Sequence, residues 1–228
     1  MAEGGQDLAF DFMKILLATG IGNCWPHLTN LIVVIKTEDG EVIWKKKYQT
    51  SYGHTEIQML SDKEFKDEVE KVKADKTKKV VIILTSNYSP CRECADKLKE
   101  FYELEIKKSL IEEFIITIRF SRLYRINEQD NKNGLKDLYI KGITLEAMTE
   151  KSWLDVLITE ESWSDSMTVG KSSIEKMMKE EDWFDQVMKL FGLDPDKVRK
   201  RDEATSKRLE QLVMEALADQ VKKNLRQF

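Results

Sequence analysis

The chain is poor in the residues that mark exported or membrane-bound proteins. Its 228 residues include three cysteines and two histidines. So few thiols, with no export signal, argue against a disulfide framework and imply reduced cysteines. No apolar run approaches the roughly 18 residues of a membrane span, so no membrane partner is expected. The opening stretch, "MAEGGQDLAFDFMKILLATG", is interrupted by Asp11 and Lys14 and reads as a first helix rather than a signal peptide. An intracellular location, cytoplasmic or nuclear, is the expectation. A net positive charge is also lacking. A net charge of −4 argues against gripping nucleic acid by bulk electrostatics and leaves room only for a local basic groove. Internal repeats and low-complexity stretches are absent. What is present, 41% hydrophobic and 34% charged residues, suits one generous domain over 1–192 and a helical extension over 193–228.

Periodicity orders the elements. "LTNLIVVIKTEDGEVIWKKKY" (28–48) reads as two strands about an Asp39-Gly40 turn. "KVVIILT" (79–85) reads as a strand buried on both faces, and "FIITIRFSRLY" (114–124) sets Phe114, Ile116, Ile118 and Phe120 on one face. "GITLEAM" (142–148) gives a last short strand. Helical spacing occupies the segment after the cysteines and residues 133–142, 150–163 and 172–192. The order predicts an α/β fold with a mixed five-stranded sheet and helices on both faces. A crossover of about ten residues before the last strand lets strands four and five run parallel, which a tight turn forbids.

The two-cysteine stretch "TSNYSPCRECADKL" (85–98) raises the question of a metal. With Ser89 as N-cap and Pro90 at the first helical position, Cys91 and Cys94 fall one turn apart on one face. The positive end of the helix dipole favours thiolates there, and thiolates bind metal. His54, where a strand gives way to a helix, offers a third ligand. Glu56, two residues on, is placed to exchange protons with a metal-activated water without binding the metal itself. His54-x-Glu56 followed by Pro90-Cys91-x-x-Cys94 is the signature of zinc-dependent nucleobase deaminases, with Zn2+ as the cofactor.

At these residues the sequence resembles the AID/APOBEC family of polynucleotide cytidine deaminases. Tyr88-Ser89-Pro90-Cys91 is similar to the family's aromatic-Ser-Pro-Cys segment, with Tyr where Trp is usual. "IRFSRLY" resembles the strand whose end lines the pocket, and "LTNLIVVIK" resembles the first strand. The resemblance implies the three-layer cytidine-deaminase-like fold, with Thr29, Tyr88, Ser89 and Tyr124 near the base. Ser51 stands where an Asn often contacts the sugar, and Thr55 replaces the usual Ala or Val. The loop after Tyr124 resembles the loop that reads the nucleotide 5′ of the target, with Arg122 and Arg125 as the nearest cations. "CWPHL" (24–28) sits where a family loop gates the pocket, so Trp25 stacks and His27 touches phosphate in that reading.

The reaction so implied is hydrolysis of cytosine to uracil in single-stranded nucleic acid, DNA ahead of RNA, in host defence or editing. Two alternatives remain open from sequence. One is a deaminase of free cytidine or its nucleotides, although those enzymes usually carry Cys in place of His54. The other is a silent nucleic-acid-binding protein with structural zinc, against which an intact Glu56 counts. In the tail, Leu209, Leu212, Val213, Ala216, Leu217 and Val221 form an apolar stripe. It predicts docking on the chain's own core or, as the sharper reading, a protein partner or self-association.

Overall fold

A computed structural model describes residues 8–22, 24–50, 53–74, 79–106, 114–159 and 176–226. Helix α1 (Leu8–Ala18) leads into strands β1 (Thr29–Thr37) and β2 (Val42–Thr50), which pair antiparallel with Leu31 opposite Tyr48. Gly40, at φ +98°, makes the turn that a side chain would strain. There follow α2 (Thr55–Ser61), α3 (Lys63–Ala74), β3 (Val80–Tyr88) and α4 (Arg92–Phe101), which runs into a π-helical turn at Tyr102–Ile106. Strand β4 (Phe114–Arg122), α5 (Gln129–Ile140), β5 (Thr144–Ala147) and α6 (Glu150–Thr159) complete the alternation. Helices α7 (Trp183–Leu190) and α8 (Pro195–Leu225) close the described chain.

The sheet order is β2-β1-β3-β4-β5, with β1 antiparallel to both neighbours and β3, β4 and β5 mutually parallel. This is the mixed sheet expected from the sequence. Helix α5 supplies the crossover that makes β4 and β5 parallel. Strand β3 extends three residues beyond the expected Thr85, because Ser86 pairs with Leu31 and Tyr88 with Arg122. Polar Ser86 and Asn87 hide that extension from an apolar pattern. Helix α5 starts four residues before the expected Asn133, over a polar first turn with no apolar residue to mark it. The expected helical stretches at 160–163 and 172–175 lie outside the described residues.

Alternation in β1 divides the core. Leu31, Val33 and Ile35 face α2 to α5, and Ile32 and Val34 face α1, α6 and α7. Phe65, fully buried between Trp44 and Phe101, stabilises the first layer by about 1.5–3 kcal/mol. Helix α8 belongs to both layers: Leu209 and Leu212 join one cluster and Val198 the other. Asp194 caps it by accepting from the Asp196 and Lys197 amides, with Pro195 in the first turn. Its buried Arg201 donates to the carbonyls of Leu17 and Thr19 and to Asp202, which also accepts from Trp153 at 2.8 Å. Helix α8 therefore packs on the sheet, as its apolar stripe predicts. Beyond Ala216 the helix leaves the core, exposing Leu217, Val221 and Leu225. No helix among the described residues is long and apolar enough to cross a membrane.

Candidate metal centre and base pocket

Two helix starts meet at the centre. His54 is the residue before α2, Cys91 the residue before α4, and Cys94 lies in the first turn of α4. The sulfurs of Cys94 and Cys91 lie 3.1 and 3.3 Å from His54 Nδ1, and the three ligand atoms lie within 4.8 Å of one another. The outward Nε2 of His54 stands 3.5 Å from the Glu93 carboxylate, a partner that orients the ring so that Nδ1 points inward. Glu56 is buried, its Oε2 3.4 Å from Cys94 Sγ and 3.3 Å from the Thr55 hydroxyl. Helix α5 sets the approach of α4. A Cβ on Gly134 would stand 3.0 Å from that of Ala95 and 3.3 Å from Arg92 Cα, so a side chain there would press the helices a few tenths of an ångström apart.

The charges follow from this packing. Cys91 is pulled down to about 5, first by a hydrogen bond from the Cys94 thiol, then by the Cys94 amide at the helix start and by His54. Cys94 moves upward, because it holds the proton that bridges to Cys91 and because it is buried beside Glu56. Burial also raises Glu56. One thiolate, one thiol and one proton-hungry carboxyl thus share a small space.

The expected capping of α4 is not what holds its start. Ser89 does not cap the helix: its hydroxyl accepts from the Tyr124 amide at 2.9 Å, and its own amide donates to the Arg122 carbonyl at 2.8 Å. The free Arg92 amide is satisfied instead by Asn131 Oδ1 of α5, at 2.9 Å. Cys91, with its sulfur turned to the metal triangle, takes the N-cap position. Ser89 therefore ties β3 to the loop after β4 and brings Tyr88 and Tyr124 together, edge to face at 5.8 Å. Burial pushes Tyr88 up to about 12, so its phenol stays neutral and donates to the Pro26 carbonyl at 3.2 Å.

Above the triangle opens a cavity of about 500 Å³. Trp25, His27, Thr29, Tyr88, Ser89, Tyr124 and Arg125 all line it, together with His54, Glu56, Cys91 and Cys94. Trp25 is 51% exposed at the rim rather than packed in the core. Arg122, expected as a phosphate contact, does not line the cavity; its guanidinium lies 5.4 Å from the Trp25 ring, beside Gly20. Arg125 adopts φ +39° and covers the Tyr124 ring at 5.3 Å. Ser51 lies outside the described residues. Sequence reasoning missed Pro26, Gly53 and Leu123 in the lining, which carry no chemical group to announce them. It also missed Asn87, a fully buried amide beside Tyr88.

Comparison with known proteins agrees with this geometry. A model of the invertebrate AID/APOBEC deaminases matches residues 12–182. The C->U-editing enzyme APOBEC-1 of Mus musculus is 29% identical over 111 residues, which cover 49% of this chain and 44% of the mouse protein. The Mesocricetus auratus enzyme of the same name is 29% identical over 129 residues, covering 55% of this chain and 50% of that protein. The chain thus spans half or less of the length of these curated relatives. The family match extends over most of the chain and contains both halves of the zinc signature, from His54 to Cys94. The protein belongs to the AID/APOBEC deaminase family, in its invertebrate branch.

Proposed function

We propose that the protein is a zinc-dependent deaminase that converts cytosine to uracil in single-stranded nucleic acid. One observation carries this reading: the buried Glu56 carboxylate stands beside a His-Cys-Cys triangle in an open, aromatic-walled cavity. His54, Cys91 and Cys94 would hold Zn2+, for which one ring nitrogen and two sulfurs are a fitting donor set. Zn2+ held there supplies a Lewis acid that makes water a nucleophile at neutral pH. Glu56 accepts the proton of the attacking water and passes it to the departing amine, as a carboxyl with raised proton affinity can do. Water adds to C4 as N3 takes up one proton, and the C4–N4 bond then breaks as the amine takes the other, leaving ammonia and the C4 carbonyl of uracil.

The cavity also supports a polynucleotide substrate. A base can enter it only when unstacked from its neighbours, which favours single strands. The Tyr88–Tyr124 pair forms a wall, and the exposed Trp25 offers its face to a flanking base. Arg125 and His27 line the same cavity, which supports a phosphate contact through them. The editing activity named for the matched relatives points the same way.

The test is uracil formation in single-stranded DNA and RNA oligonucleotides, beside free cytidine, by the zinc-loaded protein. The expected result is uracil in oligonucleotides at a rate that falls steeply with salt. Turnover of free cytidine alone, indifferent to salt, would transfer the reading to a nucleoside deaminase. No uracil from any substrate would end the enzymatic reading and leave a binding protein with structural zinc.

A further inference from the structure

Beside the pocket lies a fully buried amide that takes no part in the chemistry above. Asn87 is the penultimate residue of β3, one before Tyr88 and four before Cys91. Its Oδ1 accepts from the Asn30 amide at 2.9 Å. Its Nδ2 donates to the Leu28 carbonyl at 2.9 Å and to the Thr19 hydroxyl at 3.3 Å. The Thr19 hydroxyl spends its own hydrogen on the Ile15 carbonyl at 2.7 Å, so toward Asn87 it can only accept. Each partner thus dictates which end of the amide faces it: a flipped Asn87 would set oxygen against two acceptors and nitrogen against a donor.

Thr19 and Leu28 are the two ends of the loop that carries Trp25, Pro26 and His27. The middle of the same loop is held by the next residue of β3, through Tyr88 and the Pro26 carbonyl. From the other side, Arg201 of α8 donates to the Thr19 carbonyl at 3.0 Å. Gly20 and Gly22, at φ +78° and +58°, lie just inside the first anchor, where the chain turns out toward the rim.

We infer that Asn87 is a positioning residue that fastens both ends of the rim loop to the strand delivering the metal ligands. Asn87 thereby holds the offset of Trp25 from the metal triangle at both ends of the loop, with Tyr88 and Arg201 as further ties. The inference rests on the proposed function for its catalytic consequence, but not for the fastening itself. In a loop released from Asn87, Trp25 and His27 lose their fixed offset from the reacting carbon. The flanking nucleotides pay for that loss, while Glu56 and the zinc ligands, held by α2 and α4, do not move.

The experiment compares Asn87→Asp with the wild-type protein, both zinc-loaded. Aspartate keeps the acceptor for Asn30 and removes both donors toward the loop. Hydrogen exchange read by mass spectrometry should quicken about tenfold or more at residues 20–22 and 24–28, with β3 and β4 unchanged. The KM for a single-stranded oligonucleotide should rise about fivefold or more, with kcat within about twofold and zinc content unaltered. Unchanged exchange in the loop overturns the fastening, as does a general quickening across the sheet. A fall in kcat together with lost zinc overturns the positioning role. If Asn87→Asp does not fold, Thr19→Val removes one of the two loop anchors at constant size and should shift both readouts in the same direction. If the wild type deaminates nothing, the proposed function fails, while exchange and the Kd of both proteins for the oligonucleotide still decide the fastening.

Discussion

The floor and the rim of the cavity share a space of about 500 Å³ but are built by different means. At the floor, His54, Glu56, Cys91 and Cys94 sit at the starts of two helices that pack on one another and on the sheet. At the rim, Trp25, His27 and Arg125 sit on loops, with Trp25 half exposed and Arg125 at a positive φ. A helix start welded to a core holds a side chain at fixed geometry, which proton transfer and metal binding require. A loop held at a few points can present an aromatic face to sequences that differ. In the proposed reading, chemistry falls to the two helix starts and recognition to loops that are tied down at a few points.

The sharpest way to break that division is at Glu56. Glu56→Gln should lower deamination by about 10²–10⁴-fold, with bound zinc and Tm unchanged. A variant that keeps more than a tenth of the activity would show that the proton is handled elsewhere. Next comes the state of the thiols. In protein stripped of metal, Cys91 stays a thiolate above about pH 5, because Cys94 and the helix start lower its proton affinity. Iodoacetamide at pH 7 should then alkylate Cys91 well ahead of the buried Cys94, slowing as pH falls through about 5 and stopping when zinc is restored. Peptide mapping separates both from the exposed Cys24. Equal labelling of Cys91 and Cys94 would contradict the unequal sharing of their proton.

The rim predicts smaller and differently shaped effects. Trp25→Ala should raise the KM for an oligonucleotide about fivefold, the loss of one base–aromatic stack, and leave kcat nearly unchanged. A drop in kcat of the same size would mean that Trp25 acts on the chemistry, and the contrast between rim and floor would fail. The smallest effect is expected at Arg125. Arg125→Ala should flatten the dependence of log KM on log salt by about 0.7, the contribution of one phosphate contact on a single strand. An unchanged slope would remove Arg125 from the strand's path.

The floor was the more legible region in the sequence for the same reason that it is rigid. His54, Glu56, Cys91 and Cys94 are separated by fixed numbers of residues within helix starts, so spacing translates directly into geometry. The mixed five-stranded sheet, with β4 and β5 parallel, was legible too, from the apolar runs of β1, β3 and β4 and the helical gap before β5. The rim depends on long-range bonds that leave no local pattern. Ser89 looked like a helix cap because its neighbours are Pro90 and Cys91. Its hydroxyl serves Tyr124, 35 positions away, and a residue of another helix caps α4 in its place. The contact of Arg122 with the Trp25 ring likewise has no local sign in the sequence. Asn87 sat in an apolar strand without any sign that two ends of a distant loop would depend on it.

The parallel course of β3, β4 and β5 has a further consequence. Parallel strands finish at the same edge of the sheet, so the segments leaving β3 and β4 emerge side by side. One of them carries the thiols and the other carries Tyr124 and Arg125. Under the proposed function, changes in the second would alter which nucleotide is read while the first, and the helix it begins, stays as it is. The sheet acts as a common baseplate with a fixed tool and an interchangeable guide mounted next to each other. A lineage meeting new nucleic-acid targets could alter the guide many times without rebuilding the tool.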